Sequence, residues 1–106
     1  MAGIEYFAVA TRADIAPGEV FVTFVGGKRI AVCNVDGNYY AVEDSCSHDG
    51  SSFDQTGLEG CEIYCPRHGA VFDVRNGAVL SPPADSPIDI FPVRLSGETI
   101  EVGLVF

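Results

Sequence analysis

Short apolar runs rich in Val, Ile, Phe and Tyr alternate along the whole chain with turns rich in Gly, Pro, Asn and Asp. Runs of this length with such punctuation are typical of β-strands, whereas no window shows a sustained helical period. At most one helical turn fits in Thr11–Ala16, before Pro17 and Gly18. The pattern predicts strands at Glu5–Ala10, Glu19–Val25, Lys28–Val35, Tyr39–Glu43, Cys61–Tyr64, Val71–Asp73, Ala78–Leu80, Ile88–Leu95 and Thr99–Val105.

Several of the predicted connections are tight turns. Gly26-Gly27, Asp36-Gly37-Asn38 and Arg75-Asn76-Gly77 carry the residue types that tolerate the positive φ of hairpin turns. Many short strands joined in this way predict an all-β fold, a small antiparallel β-sandwich or barrel. With 106 residues, the chain is expected to form a single domain over residues 1–106.

Composition and charge narrow the range of partners. Six basic and fifteen acidic residues give a formal net charge of −9, which argues against nucleic acid and anionic membranes. A partner with a basic docking face is expected instead, with an acidic surface that only aids solubility as the alternative. No apolar run approaches the roughly 18–20 residues that cross a bilayer, and no secretory signal is expected, so the expected compartment is the cytoplasm.

The candidate chemistry lies in two short motifs, Cys46-Ser47-His48 and Cys65-Pro66-Arg67-His68. They contain both histidines of the chain and two of its four cysteines, and each histidine is followed closely by Gly50 or Gly69. Matched thiol–imidazole pairs predict a metal site, either tetrahedral zinc or an iron–sulfur centre with mixed ligands. The glycines are expected to allow close backbone approach and to aim N–H groups at sulfur.

The remaining residues near these motifs have simpler interpretations. Cys33 and Cys61 are predicted to be core residues, because they alternate with apolar neighbours and lack an adjacent histidine or basic residue. Phe53, Phe72 and the Pro82-Pro83 segment are candidates for shielding the site from water, with ordinary loop packing as the alternative.

The chain resembles the Rieske family, whose pattern is Cys-x-His and Cys-x-x-His with the sixteen-residue gap found here between His48 and Cys65. It is most similar to the small ferredoxins of multicomponent ring-hydroxylating oxygenases. The resemblance implies one [2Fe–2S] cluster, with Cys46 and Cys65 on the buried iron and His48 and His68 on the outer one. It also implies a cluster-binding subdomain at about residues 45–83, on a base of residues 1–44 and 84–106.

Departures from the high-potential branch of that family concern two pairs of positions. Ser51 and Arg67 stand where proteins of cytochrome bc complexes have a loop disulfide, which therefore cannot form. Ala70 and Phe72 stand where high-potential members have a serine and a tyrosine that donate hydrogen bonds to cluster sulfur. Without these donors the reduced cluster is less stabilised, so the expected potential is low, roughly −150 mV.

These observations predict an electron carrier, not an enzyme. It would accept electrons from a flavoprotein reductase and pass them to a terminal oxygenase, as a monomer that docks and releases. Asp44 and Asp49 are interpreted as a solvated rim near the site. Two alternatives stay open: the small subunit of an NAD(P)H-dependent nitrite reductase, and a zinc-stabilised interaction module without a redox role.

Overall fold

A computed structural model describes residues 3–46, 50, 52–53, 56–65, 69–82 and 86–105. Within these ranges the chain is almost entirely β, and the one 3-10 turn, Arg12–Asp14, lies where a single helical turn was expected. That turn is the longest helical segment in the described residues and is far too short to cross a membrane. The strands are β1 (Ile4–Thr11), β2 (Val20–Val25), β3 (Lys28–Val35), β4 (Asn38–Glu43), β5 (Leu58–Glu59), β6 (Glu62–Tyr64), β7 (Val71–Asp73), β8 (Val79–Ser81), β9 (Ile90–Phe91), β10 (Val93–Ser96) and β11 (Thr99–Val105).

The structure differs from the predicted strands in two places, each for a local reason: one predicted strand is divided, and one strand was not predicted. The segment Ile88–Leu95, predicted as one strand, contains β9 and β10, because Pro92 between them has no N–H to donate to a ladder. Strand β9 pairs with β4 and β10 pairs with β11, so the chain changes sheets at this proline. Strand β5 was missed because two residues between Gly57 and Gly60 are too few to show a period.

The strands form three antiparallel sheets, which confirms the predicted all-β class. Sheet 1 has the order β1-β11-β10, sheet 2 the order β2-β3-β4-β9, and sheet 3 the order β5-β6-β7-β8. In sheet 3 each strand pairs with the next along the chain, so this sheet is a meander.

Sheet 2 separates two buried clusters of side chains. Alternate residues of a strand face opposite sides, so Ile30 and Val32 of β3 enter one cluster while Ala31 and Cys33 enter the other. The first cluster, the base core, contains Ile15, Val25, Ile30, Val32, Ala41, Ile100, Val102 and Leu104. The second, the site core, contains Ala31, Cys33, Val42, Cys46, Phe53, Ile63, Cys65, Ala70, Phe72, Val74 and Ile88, and thus joins sheet 2 to sheet 3.

Candidate metal centre

The two thiols predicted as ligands, Cys46 and Cys65, are each 1% exposed and belong to the site core. Cys46 comes three residues after the end of β4, and Cys65 directly follows β6. Strands from two different sheets therefore deliver one thiol each to the same buried cluster. The predicted ligands His48 and His68 lie outside the described residues, as do the two positions predicted to exclude a loop disulfide.

In both ligand loops a backbone hydrogen bond closes a turn between the cysteine and the glycine four residues later. The N–H of Gly50 donates to the carbonyl oxygen of Cys46 at 2.7 Å, and the N–H of Gly69 donates to that of Cys65 at 3.0 Å. The glycines have φ of 76° and 78°, a region that other residues adopt only with strain. The N–H groups of the two glycines themselves bind carbonyl oxygens, and the expectation that N–H groups of these loops aim at sulfur stays a prediction. Glycine is needed at these positions to close the turn.

The second ligand loop is the tip of a β-hairpin. Strands β6 and β7 pair through Tyr64 and Val71, and the N–H of Cys65 donates to the carbonyl oxygen of Ala70 at 2.7 Å. The backbone ladder of sheet 3 therefore holds both ends of this loop.

The first ligand loop is closed by a buried carboxylate. Asp44 is fully buried, and its two carboxylate oxygens accept hydrogen bonds from the Phe53 N–H and the Ser52 hydroxyl, both at 2.6 Å. The guanidinium of Arg29 balances the charge, with Nε 3.0 Å from Oδ2. The prediction that Asp44 lies on a solvated rim is therefore wrong, since an acidic side chain can be buried when its charge and lone pairs are satisfied. Its companion Asp49 lies outside the described residues.

Arg29 is a residue of the site that the sequence analysis missed. Its Nε also lies 2.7 Å from the carbonyl oxygen of Asp44, and its Nη2 donates to the carbonyl oxygen of Gly50 at 3.1 Å. One signal in the sequence points to it. The turn predicted at Asp36-Gly37 sets the register of the β3–β4 hairpin, and that register brings Arg29 opposite Asp44.

Apolar side chains surround the two thiols on their buried side. The rings of Phe53 and Phe72 are fully buried, with centroids 5.9 Å apart and planes at 74°. Ala70 is fully buried in the same cluster. None of these three side chains can donate a hydrogen bond.

The prediction that the other two cysteines are core residues is confirmed for Cys33 and holds in part for Cys61. Cys33 is fully buried, and Cys61 packs against the site core while partly exposed. Burial, and after it the negative charge of Asp44, raises the pKa of Cys33 to about 12, so this thiol stays protonated and neutral at physiological pH.

The donor chemistry fits a metal centre with one side shielded from water. In the described part of the chain no three side chains of His, Cys, Asp or Glu are placed to hold a metal ion. A metal bound by Cys46 and Cys65 would take its other ligands from residues outside the described ranges, and the predicted histidines His48 and His68 lie there. Thiolate and imidazole together suit zinc or a mixed-ligand iron–sulfur cluster.

Comparison with known proteins separates these two possibilities. Residues 5–92 match the family model of the Rieske [2Fe-2S] domain. The chain is 34% identical over 90 residues to the biphenyl dioxygenase ferredoxin subunit of Pseudomonas sp. (strain KKS102), which covers 84% of this chain and 83% of the relative. It is 36% identical over 96 residues to the ferredoxin component of biphenyl 2,3-dioxygenase of Rhodococcus jostii (strain RHA1). This match covers 91% of this chain and 90% of the relative.

A solved structure agrees with these relatives over nearly the same length. It is the complex of reduced oxygenase and oxidized ferredoxin in carbazole 1,9a-dioxygenase, in which one chain matches with a TM-score of 0.86 and 33% identity. The match covers 92% of this chain and 91% of that one. The ferredoxin hypothesis is therefore favoured over the nitrite reductase subunit and the zinc module, and the chain belongs to the Rieske [2Fe-2S] domain family.

Proposed function

We propose that the protein is a one-electron carrier with a low-potential [2Fe–2S] cluster held by Cys46, His48, Cys65 and His68. The observation that carries the proposal is the pair of like turns, each beginning at a buried cysteine, that meet in one apolar core. Two loops that each bring a thiol to one core suit a centre with two ligands from each loop, and the match to the Rieske [2Fe-2S] domain favours a cluster over zinc.

The proposed ligands have different tasks. Cys46 and Cys65 would hold the inner iron as thiolates, and His48 and His68 the outer iron as neutral imidazoles. A bound [2Fe–2S] cluster supplies one-electron redox chemistry. The chain itself fixes the two turns and excludes water from the thiolate side with the paired phenylalanine rings of the site core. The side chains of Phe53, Ala70 and Phe72 in this core cannot donate hydrogen bonds to sulfur, which supports a low potential.

The proposed partners are a flavoprotein reductase as electron donor and a terminal oxygenase as acceptor. The relatives are ferredoxins of biphenyl dioxygenases, and the similar structure is a complex of oxygenase and ferredoxin, which supports the second partner. The net charge of −9 favours a basic docking face on each partner. A carrier that docks to two proteins in turn is proposed to act as a cytoplasmic monomer, since its interfaces must release.

We also propose a division of the single domain, residues 1–106, into a base of residues 1–44 and 84–106 and a cluster-binding part of about 45–83. Sheet 3 and both ligand turns lie within the second range, which supports this division. The site core contains Ala31, Cys33 and Val42 from the base beside residues of sheet 3, so the two parts are expected to unfold together.

Cysteine substitutions test the ligand set. The purified protein is expected to be coloured, to contain the iron and sulfide of one cluster per chain, and to give a Rieske-type electron paramagnetic resonance (EPR) signal on reduction. Cys46→Ser and Cys65→Ser each remove one thiolate and should abolish that signal. Cys61→Ser is the matched control, because this cysteine touches the same core but is not a proposed ligand, and it should keep full cluster content.

Two outcomes would overturn the proposal. The first is a colourless wild-type protein with stoichiometric zinc. The second is loss of the cluster from Cys61→Ser but not from Cys46→Ser. Replacement of His48 or His68 by alanine extends the test to the imidazole ligands. Electron transfer from a flavoprotein reductase to a ring-hydroxylating oxygenase, reconstituted with this protein, tests the partners.

A further inference from the structure

We propose that Asp44 and Arg29 form a charged clamp that positions the first ligand loop. The inference rests on the proposed ligand set, because the clamp affects the cluster only if Cys46 and His48 bind it. Neither clamp residue is a proposed ligand, and both act through the backbone that carries the ligands.

The need for a clamp follows from how the two loops are closed. The second loop lies between adjacent strands, and the ladder of β6 and β7 holds its ends together. The first loop begins after β4, and the next strand, β5, starts only at Leu58. Strand β4 pairs with β3 and β9, so its ladders in the described residues do not reach the segment that ends the loop. The conformational entropy of this longer segment must be offset by other bonds.

The side chain of Asp44 supplies those bonds. Asp44 lies two residues before Cys46, and its carboxylate binds the Ser52 hydroxyl and the Phe53 N–H on the far side of the loop. The carboxylate thus joins the two ends as a strand pair would. Hydrogen bonds to an ionised acceptor are short and strong, which suits a part of the loop that must not move.

Arg29 anchors this clamp to sheet 2. It contacts the carboxylate and the carbonyl oxygen of Asp44, and its other end reaches the carbonyl oxygen of Gly50, which ends the ligand turn. A buried charge is costly unless it is paired, so the carboxylate and the guanidinium depend on each other. Loss of either residue should release the same loop.

Two substitutions that each remove one charge, Asp44→Asn and Arg29→Gln, separate positioning from charge. In Asp44→Asn the amide keeps only one acceptor oxygen. That oxygen can accept either from the Phe53 N–H or from the Arg29 and Ser52 donors, and the amide NH₂ then faces the other donors and cannot accept from them. In Arg29→Gln the carboxylate loses its cationic partner and Gly50 loses a donor. The charge changes are opposite in sign, whereas the loss of the clamp is common to both.

The experiment measures the rate of cluster loss to an iron chelator, the EPR line width and the midpoint potential of each holoprotein. Both variants are expected to lose the cluster about 10- to 100-fold faster than the wild type and to show broader lines. The midpoint potentials should move in opposite directions: upward for Asp44→Asn, which removes a negative charge, and downward for Arg29→Gln. A pure charge effect would move the potentials without accelerating cluster loss.

The control is Asp73→Asn. Asp73 is likewise buried and paired with an arginine, Arg75, at 2.8 Å, but it lies at the end of β7 outside both ligand turns. It should keep the wild-type rate of cluster loss at temperatures well below unfolding. If Asp44→Asn does not fold, Arg29→Gln carries the test, since its side chain is 40% exposed.

Wild-type rates of cluster loss in both clamp variants, with the cluster present, would overturn the clamp and leave the proposed function intact. A faster loss in Asp73→Asn equal to that in the clamp variants would also overturn it, because any destabilised fold would then release the cluster. A wild-type protein without a cluster would overturn the proposed function together with the clamp.

Discussion

The substitution Ala70→Ser tests whether the lack of a hydroxyl group on the side chain at position 70 contributes to the low potential proposed for the cluster. Ala70 is fully buried in the site core with both thiols, and its carbonyl oxygen accepts the Cys65 N–H at 2.7 Å. The backbone beside the ligand is therefore held by the hairpin ladder, and serine adds only a hydroxyl at a fixed place. If that hydroxyl reaches a cluster sulfur, it donates a hydrogen bond that strengthens when the cluster gains an electron.

The size of the shift follows from the strength of one hydrogen bond. A hydrogen bond to a charged acceptor contributes about 1.5–3 kcal/mol, and only the difference between the oxidised and reduced states affects the potential. One electron moved through 100 mV corresponds to about 2.3 kcal/mol. A difference of about 1–2 kcal/mol therefore predicts a midpoint potential roughly 40–90 mV above that of the wild type.

Ala31→Ser is the matched control for this experiment. Ala31 is also fully buried in the site core but lies on β3, in the other sheet. A hydroxyl there is expected to lower the free energy of unfolding by about 1–3 kcal/mol, as an unsatisfied buried group does, and to leave the potential unchanged. A redox titration monitored by circular dichroism measures the midpoint potential. Urea denaturation measures the free energy of unfolding.

An unchanged potential in Ala70→Ser, with a loss of stability equal to that of Ala31→Ser, would refute the reasoning. It would mean that the added hydroxyl finds no sulfur and that the low potential has another cause. A wild-type midpoint well above zero would contradict the premise itself.

Two further predictions concern stability. Gly77→Ala places a Cβ 2.0 Å from the carbonyl oxygen of Ile88 at a φ of +77°. It is therefore expected to lower the free energy of unfolding, measured in urea, by about 3 kcal/mol or more. The control is Gly97→Ala, in open space at a φ of +60°, which should lower that free energy by only about 1 kcal/mol. Equal losses in the two variants would contradict the steric explanation. Arg75 lowers the pKa of Asp73, chiefly through a side-chain hydrogen bond. The resulting stabilisation is present above the unfolded-state pKa of about 3.9 and is lost as the pH falls through the lowered folded-state pKa. The difference in melting temperature between the wild type and Asp73→Asn should therefore shrink in acid. A difference that stays constant with pH would contradict this role of the Asp73–Arg75 pair.

The fold was largely predictable because alternation and turn chemistry are local properties. Strand β3 was predictable from the unbroken apolar run Ile30–Cys33, which reflects burial of both its faces, and Asp36-Gly37 marks the turn to its partner. Strand β5 was not predictable, because its two residues are held by pairing with β6 through Leu58 and Ile63. The change of sheet at Pro92 likewise depends on which neighbours, β4 and β11, are available in space.

The residue types that bind the metal were predictable from the sequence, whereas the residues that hold the ligand loops in place were less so. Thiols and imidazoles in matched motifs point to a metal, since few other residue types bind one so well. The role of Asp44 was misjudged because acidic residues near loops mostly face solvent. Its burial depends on Arg29, Ser52 and Phe53, which meet it only in the folded chain.

The two ligand loops belong to different sheets, and this has a consequence for the distance between their thiols. Cys46 is tied to sheet 2 through the clamp of Asp44 and Arg29, and Cys65 is tied to sheet 3 through its hairpin. The contact between the sheets is the site core, where Ala31 and other residues of sheet 2 pack with residues of sheet 3. Packed interiors do not deform continuously, so the spacing of the thiols is set by the fit of this core and not by either loop alone. A site held in this way is preorganised by rigid elements on both sides, as a centre that repeatedly gains and loses one electron requires.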